Sequence, residues 1–181
     1  MADKSETSYT KVLEAIKDVC VRRHLRRPYP TTAIMDFEKG MNNAVHTVFP
    51  DAEIRLCLFH LKQAAFRKIQ NLGLAVQYRA EDDESVRMAF RQILGVAFVP
   101  VEDVEDAFRQ AKADIPQEMK PFSKYFQETY VLGRRSRQGR RRTAPRYQPH
   151  LWNQHLAALH NQPRTNNTTG AWQNRFQVRN A

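Results

Sequence analysis

The 181-residue chain is 41% hydrophobic and 27% charged, the balance of a folded domain with a real core rather than of a disordered segment. Two cysteines, Cys20 and Cys57, give no disulfide framework and suit a reducing compartment, nucleus or cytosol. No apolar run reaches the roughly 18 residues of a membrane span, and the polar opening MADKSETSYT has no signal-peptide core, so no membrane partner is expected.

The formal net charge of +10 is concentrated in one place. Residues 129–181 contain no Asp or Glu and carry ten arginines: Arg134, Arg135, Arg137, Arg140, Arg141, Arg142, Arg146, Arg164, Arg175 and Arg179. The remaining 19 basic residues balance the 19 acidic ones, so the whole excess sits in this C-terminal segment. An arginine-only tract with aromatic neighbours suits contact with a phosphate backbone, and DNA is the expected partner. The plainer reading is a solvated loop that is positive for solubility or nuclear import.

Residues 5–23 read as a first helix, capped by Ser5 or Thr7. Val12, Leu13, Ile16, Val19 and Cys20 recur at helical spacing as one apolar face, with Cys20 as packing. Arg22, Arg23, Arg26 and Arg27 complement the negative end of its dipole, and Pro28 and Pro30 stop it. Residues 31–35 are short, apolar and β-prone, ending at Asp36. A strand that presents an acid at its C-terminal end is a common way for α/β folds to place a carboxylate. A helix follows from Phe37, burying Met41, Ala44, Val45 and Val48 and leaving Asn42 and Asn43 to solvent. Glu38 either reaches a metal beside Asp36 or serves the first turn of that helix.

Phe49-Pro50-Asp51 is a turn, residues 53–58 a second strand delivering Cys57 and His60, and residues 61–78 a helix burying Leu61, Ala64, Ala65, Ile69, Leu72 and Val76. Lys62, Arg67 and Lys68 stay outside. Residues 81–128 form a helical block. Its acidic run Glu81, Asp82, Asp83 and Glu84 favours a helix N-terminus, and Pro100 and Pro116 divide three helices. Met88, Phe90, Ile93, Leu94 and Phe98, then Met119, Phe122, Tyr125 and Phe126, supply the packing. Residues 133–149 read as a mobile arginine-rich loop. Residues 151–159 are a short helix with Trp152 and Leu156, and Arg164-Thr165-Asn166-Asn167 caps a last helix over 168–178. His150, His155 and His160 share no metal-ligand spacing.

The stretch TTAIMDFEKGMNNAVHTVFPDAEIRLCLFHLKQAAFRKIQNLGL resembles Mutator-like element (MULE) transposases. SETSYTKVLEAIK, LGVAFVPVEDVEDAF, PFSKYFQETYVLG, WN and RTNN are further pieces similar to that family, in its order. The resemblance implies a DDE-type, RNase H-like fold interrupted by a helical insertion, in the nucleus, acting on DNA with two Mg²⁺ or Mn²⁺ ions. Such a site takes three acids from separate parts of the fold.

Asp36 matches the second acid of the family. The first has no counterpart, because the chain opens at the helix that follows the family's third strand; it therefore resembles an N-terminally truncated member. The third position falls on Gly170, in TNNTTGAW, which also costs about 1 kcal/mol of helix propensity against Ala. Asp36 is thus expected to be vestigial. Cys57 and His60 match the family's C-x-x-H element, two ligands where a zinc site takes four, or three and water, so no cofactor is assigned from the residues.

The expected fold is helix-rich α/β. It comprises a partial RNase H-like core of about two strands over 1–78, an all-α insertion over 79–132, the arginine-rich loop over 133–149, and helices over 150–181 that return to the core. The leading expectation is a transposase-derived, catalytically inactive fragment that binds nucleic acid through Arg134 to Arg146. Two alternatives stand beside it. One is a metal-dependent nuclease completed by a missing N-terminal region or a partner. The other is a protein-interaction module. An open sheet edge and bare apolar face predict self-association or a covering partner.

Overall fold

Residues 5–25, 28–136 and 141–166 are described by a computed structural model of the chain. They divide into two units, residues 5–57 with 165–166, and residues 58–164. The class is helix-rich α/β, as the sequence predicts.

In the first unit Ser5 starts the leading helix, its Oγ accepting the Ser8 N–H at 3.2 Å at the head of α1 (Glu6–Arg22). The far end is closed before the prolines are reached. His24 takes a left-handed φ of 51°. The His24 N–H donates to Val21 O at 3.1 Å and the Leu25 N–H to Cys20 O at 2.9 Å, the paired bonds that satisfy a helix's last carbonyls.

The apolar face expected on α1 is not buried. Val12, Ile16 and Val19 are 44%, 47% and 44% exposed and Cys20 is half-buried, while Tyr9 is buried. The reason is which flank has a neighbour. α2 (Lys39–Val48) lies against the side carrying Tyr9 and Lys17. There the Tyr9 hydroxyl donates to Glu38 Oε1 at 2.7 Å, Asn43 Nδ2 donates to Glu6 Oε2 at 2.7 Å, and Lys17 Nζ donates to Val48 O at 3.2 Å. Lys17 also stands 5.5 Å from the centre of the Phe49 ring. Of the two asparagines expected to face solvent, Asn43 bonds Glu6 at the surface, whereas Asn42 is half-buried with a buried Oδ1. Ala44, Val45 and Val48 are buried and Met41 half-buried.

β1 (Thr32–Met35) and β2 (Glu53–Leu56) pair in parallel, Thr32 opposite Glu53 through Met35 opposite Leu56. The Ala52 N–H closes the intervening turn on Phe49 O at 3.0 Å. The pairing extends one residue at each end, through Glu53 N–H to Thr31 O at 2.9 Å and Cys57 N–H to Met35 O at 2.7 Å. Among the described residues the sheet has these two strands alone. β2 stops at Leu56, shorter than expected, because Leu58 already begins α3 (Leu58–Asn71).

The second unit is helical. Leu61, Ala65 and Ile69 of α3 are buried, but the predicted long helix breaks at Gly73, whose φ is 75°. Gly73 N–H to Gln70 O at 2.9 Å and Leu74 N–H to Ile69 O at 3.1 Å end α3, and Leu74 is buried there. The short α4 (Ala75–Arg79) then follows as a separate helix, and Val76 is 79% exposed instead of buried.

α5 (Ser85–Gly95), α6 (Val104–Ala111) and α7 (Lys120–Phe126) are the three helices that Pro100 and Pro116 were expected to separate. A π-turn, Gln127–Val131, extends α7. The acidic run is exposed, and Asp83 Oδ1 accepts the Ser85 N–H at 2.8 Å, which lowers the pKa of that carboxyl. Phe90, Ile93, Leu94, Phe108, Met119, Phe122 and Phe126 are buried, whereas Met88 and Phe98 are exposed. Residues 149–159 hold two helices rather than one, α8 (Pro149–Trp152) and α9 (His155–Leu159). Asn153 splits them: its Nδ2 donates to Val99 O at 2.8 Å and its Oδ1 accepts the His155 N–H at 2.9 Å. Trp152 is fully buried, and Leu156 is exposed. The ends of the unit meet, Leu58 N–H donating to Arg164 O at 3.0 Å.

Candidate nucleic-acid interface and strand-end acid

Asp36 emerges from β1 exposed, one residue beyond the buried Met35. Asn166 Nδ2 donates to its Oδ1 at 2.8 Å. Sequence reasoning read Asn166 as part of a helix cap and did not pair it with the strand-end acid. Glu38 stands at the head of α2 but makes no side-chain bond to the first turn. Its carboxylate receives the Tyr9 hydroxyl instead, and that bond raises the phenol pKa of Tyr9. One oxygen of each of these neighbouring acids is therefore already held by a donor from elsewhere in the unit.

Cys57 follows β2 and is fully buried, its backbone locked to Met35. His60 lies in the first turn of α3, in the second unit, rather than on a strand. His155 Nδ1 is 3.0 Å from Phe98 O, and His150 and His160 are exposed. Among the described residues no group of three His, Cys, Asp or Glu is placed to hold a metal ion. The described donor set around Asp36, one exposed carboxylate already bonded to an amide and a second bonded to a phenol, does not fit a pair of divalent ions. Gly170, Arg175, Arg179 and the helix expected over 168–178 lie outside the described residues.

The arginine-rich segment is better organised than a mobile loop. Arg135 and Arg142 form an antiparallel bridge, with Ser136 N–H to Arg141 O at 2.8 Å and Thr143 N–H to Arg134 O at 2.9 Å. Arg134, Arg135, Arg141, Arg142 and Arg146 are exposed, while Arg137 and Arg140 fall outside the described residues. Arg134 Nε stands 3.3 Å from Glu128 Oε2.

The base of this ribbon is fixed by packing. Gly133 has a φ of 72°, and a Cβ there would lie 1.7 Å from Thr143 O, so the two arms meet at a spacing that only glycine permits. On the outgoing side Tyr147 is buried, stacks on Tyr130 with ring centres 5.8 Å apart, and donates its N–H to Thr129 O at 3.1 Å. Trp152 Nε1 donates to both Tyr130 O and Tyr147 O at 3.1 Å. Arg146 lies over the Tyr147 ring at 5.3 Å, which leaves its guanidinium at the surface on an aromatic platform. Burial raises the pKa of Tyr147, against the lowering effect of Arg146. Five exposed arginines thus flank a bridge whose base packs on Tyr130, Tyr147 and Trp152. Sequence alone marks Gly133, Tyr147 and Trp152 only as a glycine and two aromatics flanking a charge run.

Residues 1–64, about a third of the chain, match the model of the MULE transposase domain, to which this part of the chain is similar. No curated protein and no solved structure matches the chain significantly.

Proposed function

We propose that this MULE-type chain is a transposase derivative that binds duplex DNA through the arginine ribbon of residues 134–146 and does not cleave it. The observation that carries the reading is the ribbon itself: Arg134, Arg135, Arg141, Arg142 and Arg146 exposed on a bridge whose base is pinned at Gly133. Guanidiniums match phosphate oxygens in charge and fork geometry, and their backbone contacts are independent of base sequence. The β1–α2–β2 segment is read as the remnant of an RNase H-like core, and a nuclear location follows from the DNA partner. Loss of cleavage rests on the engaged carboxylates near Asp36 and on glycine at position 170.

Duplex binding measured against salt tests it. Each phosphate contact contributes about −0.9 to the slope of log K against log salt. Changing Arg135, Arg141 and Arg142 to Gln is expected to flatten that slope by roughly 2 to 3 and weaken all duplex sequences alike. Affinity that does not respond to salt would sink the proposal. A second reading is kept alive by the exposure of Asp36 at the strand end, where an acid supplied by a partner would complete a metal-dependent nuclease. Mg²⁺- or Mn²⁺-dependent nicking of supercoiled plasmid that disappears in Asp36→Ala would establish it in place of the first.

A further inference from the structure

The ribbon carries a hydroxyl that its DNA-binding role does not use. Thr143 is exposed, lies one residue past the Arg135–Arg142 bridge, and faces Arg134 across it. In sequence it is preceded by three arginines, Arg140, Arg141 and Arg142. Its Oγ1 makes one long contact, 3.4 Å to Arg134 O, and is not packed into the core. A single bridge at the surface opens at small cost, so the strand can be drawn out into the extended form in which a kinase groove reads its substrate.

We infer that Thr143 is a phosphoacceptor for an arginine-directed Ser/Thr protein kinase, and that the phosphate switches the ribbon off as a DNA ligand. Acidic subsites of such a kinase pair with guanidiniums on the N-terminal side of the acceptor, and here they are supplied by Arg141 and Arg142. In the transfer Oγ1 attacks the γ-phosphorus of ATP while its proton passes to the kinase's catalytic base. The Oγ1–P bond forms, the bond from that phosphorus to the oxygen of the β-phosphate breaks, and ADP leaves.

The product follows from charge and geometry. A phosphothreonine brings about −1.5 to −2 charge and three strong acceptor oxygens. Placed at residue 143 it has Arg142 beside it in the chain and Arg134 and Arg135 on the facing arm. Guanidinium–phosphate pairs formed within the ribbon occupy the donors that would otherwise meet DNA. Ser136 is the weaker candidate, because in sequence it is preceded by two arginines rather than three.

The switch rests on the DNA-binding reading, and the experiment separates the two. The full chain is incubated with Mg·ATP and the catalytic subunit of an arginine-directed kinase, the phosphate is mapped by fragmentation mass spectrometry, and duplex affinity is measured before and after. The expected result is a phosphate on Thr143, absent from Thr143→Val and retained in Ser136→Ala. It is accompanied by at least a tenfold loss of duplex affinity at low salt and a salt slope flattened by roughly 2. Thr143→Val should bind DNA as the unmodified chain does. No phosphate, or phosphate elsewhere than Thr143, overturns the assignment; phosphate on Thr143 with unchanged affinity overturns the switch. An unmodified chain that fails to bind duplex defeats the DNA reading and the switch with it, and in that case labelling at Thr143 still decides the acceptor site.

Discussion

Asn166 Nδ2 donates to Asp36 Oδ1 at 2.8 Å across 130 residues of sequence. The acid that the resemblance to MULE transposases would place at a metal site is bonded to a side-chain amide of its own unit. The bond gives Asp36 a structural role that is separable from chemistry.

That role has a measurable size. A hydrogen bond to a carboxylate near the surface contributes about 0.5–1.5 kcal/mol net. A double-mutant cycle of Asp36→Ala with Asn166→Ala, followed by denaturant unfolding, is expected to return a coupling energy in that range. Additive single substitutions would show that the contact contributes nothing.

The two left-handed glycines should respond very differently to alanine. Gly73 has nothing within 4 Å of an added Cβ, so Gly73→Ala meets only the backbone penalty, about 1–2 kcal/mol. Gly133→Ala adds a collision with Thr143 O and Ala144 C to the same penalty. It is expected to cost at least twice as much and to weaken DNA binding by displacing one arm of the ribbon. Equal costs in thermal melts would refute the close approach.

Alkaline stability should be set by Tyr130. Burial foremost, with the Tyr125 hydroxyl bond and the nearby Tyr125 and Tyr147 phenols, pushes its pKa well above the ordinary tyrosine value, and Arg146 opposes this only in part. A pKa raised in the folded state means the unfolded chain releases the proton first. The stability is therefore complete below about pH 10 and falls as pH rises beyond it. Melting temperatures recorded from about pH 8 upward should drop past about pH 10, and the drop should be shallower in Tyr130→Phe. Parallel curves for the two proteins would remove Tyr130 as the cause.

On α1, position relative to α2 should outweigh hydrophobicity. Val12→Ser, Ile16→Ser and Val19→Ser are expected to change stability by less than about 0.5 kcal/mol each, because those side chains already meet water. Tyr9→Phe, which strips Glu38 of its hydroxyl donor, should cost more than any of the three. The triple serine variant should also sediment with less self-association, since a bare apolar stripe is an association surface. A reversed order of costs would mean that the stripe is covered.

What the sequence made legible was local. Thr32–Met35 announces itself by an apolar, β-prone run, α2 by the period of Ala44, Val45 and Val48, and the helical block by Pro100 and Pro116. The errors fall where a distant partner or one backbone angle decides. The apolar period runs on through Leu72 to Val76 and hides the break at Gly73, although a glycine after Asn71-Leu72 is itself a stop signal. Asn153 splits α8 from α9 by reaching a carbonyl 54 residues away. Hydrophobic spacing on α1 is real, but which side of a helix finds a neighbour is a tertiary matter. At the site, the arginines and Asp36 are visible as residues; the close approach at Gly133 beneath the ribbon and Asn166 beside the acid are not, because both depend on pairs that periodicity does not encode.

The bond from Leu58 N–H to Arg164 O has a consequence for how the chain finds its form. Taken along the unfolded chain, joining Asp36 to Asn166 closes a loop of 130 residues. Once residues 58–164 have folded and their ends are tied together, the loop left to close is roughly 24 residues, which lowers the closure entropy by about 1.5 kcal/mol. The β1–β2 pairing spans few residues and can form early. The contact between Asp36 and Asn166 is then favoured to be among the last steps, waiting for the helical unit to bring its own two ends together.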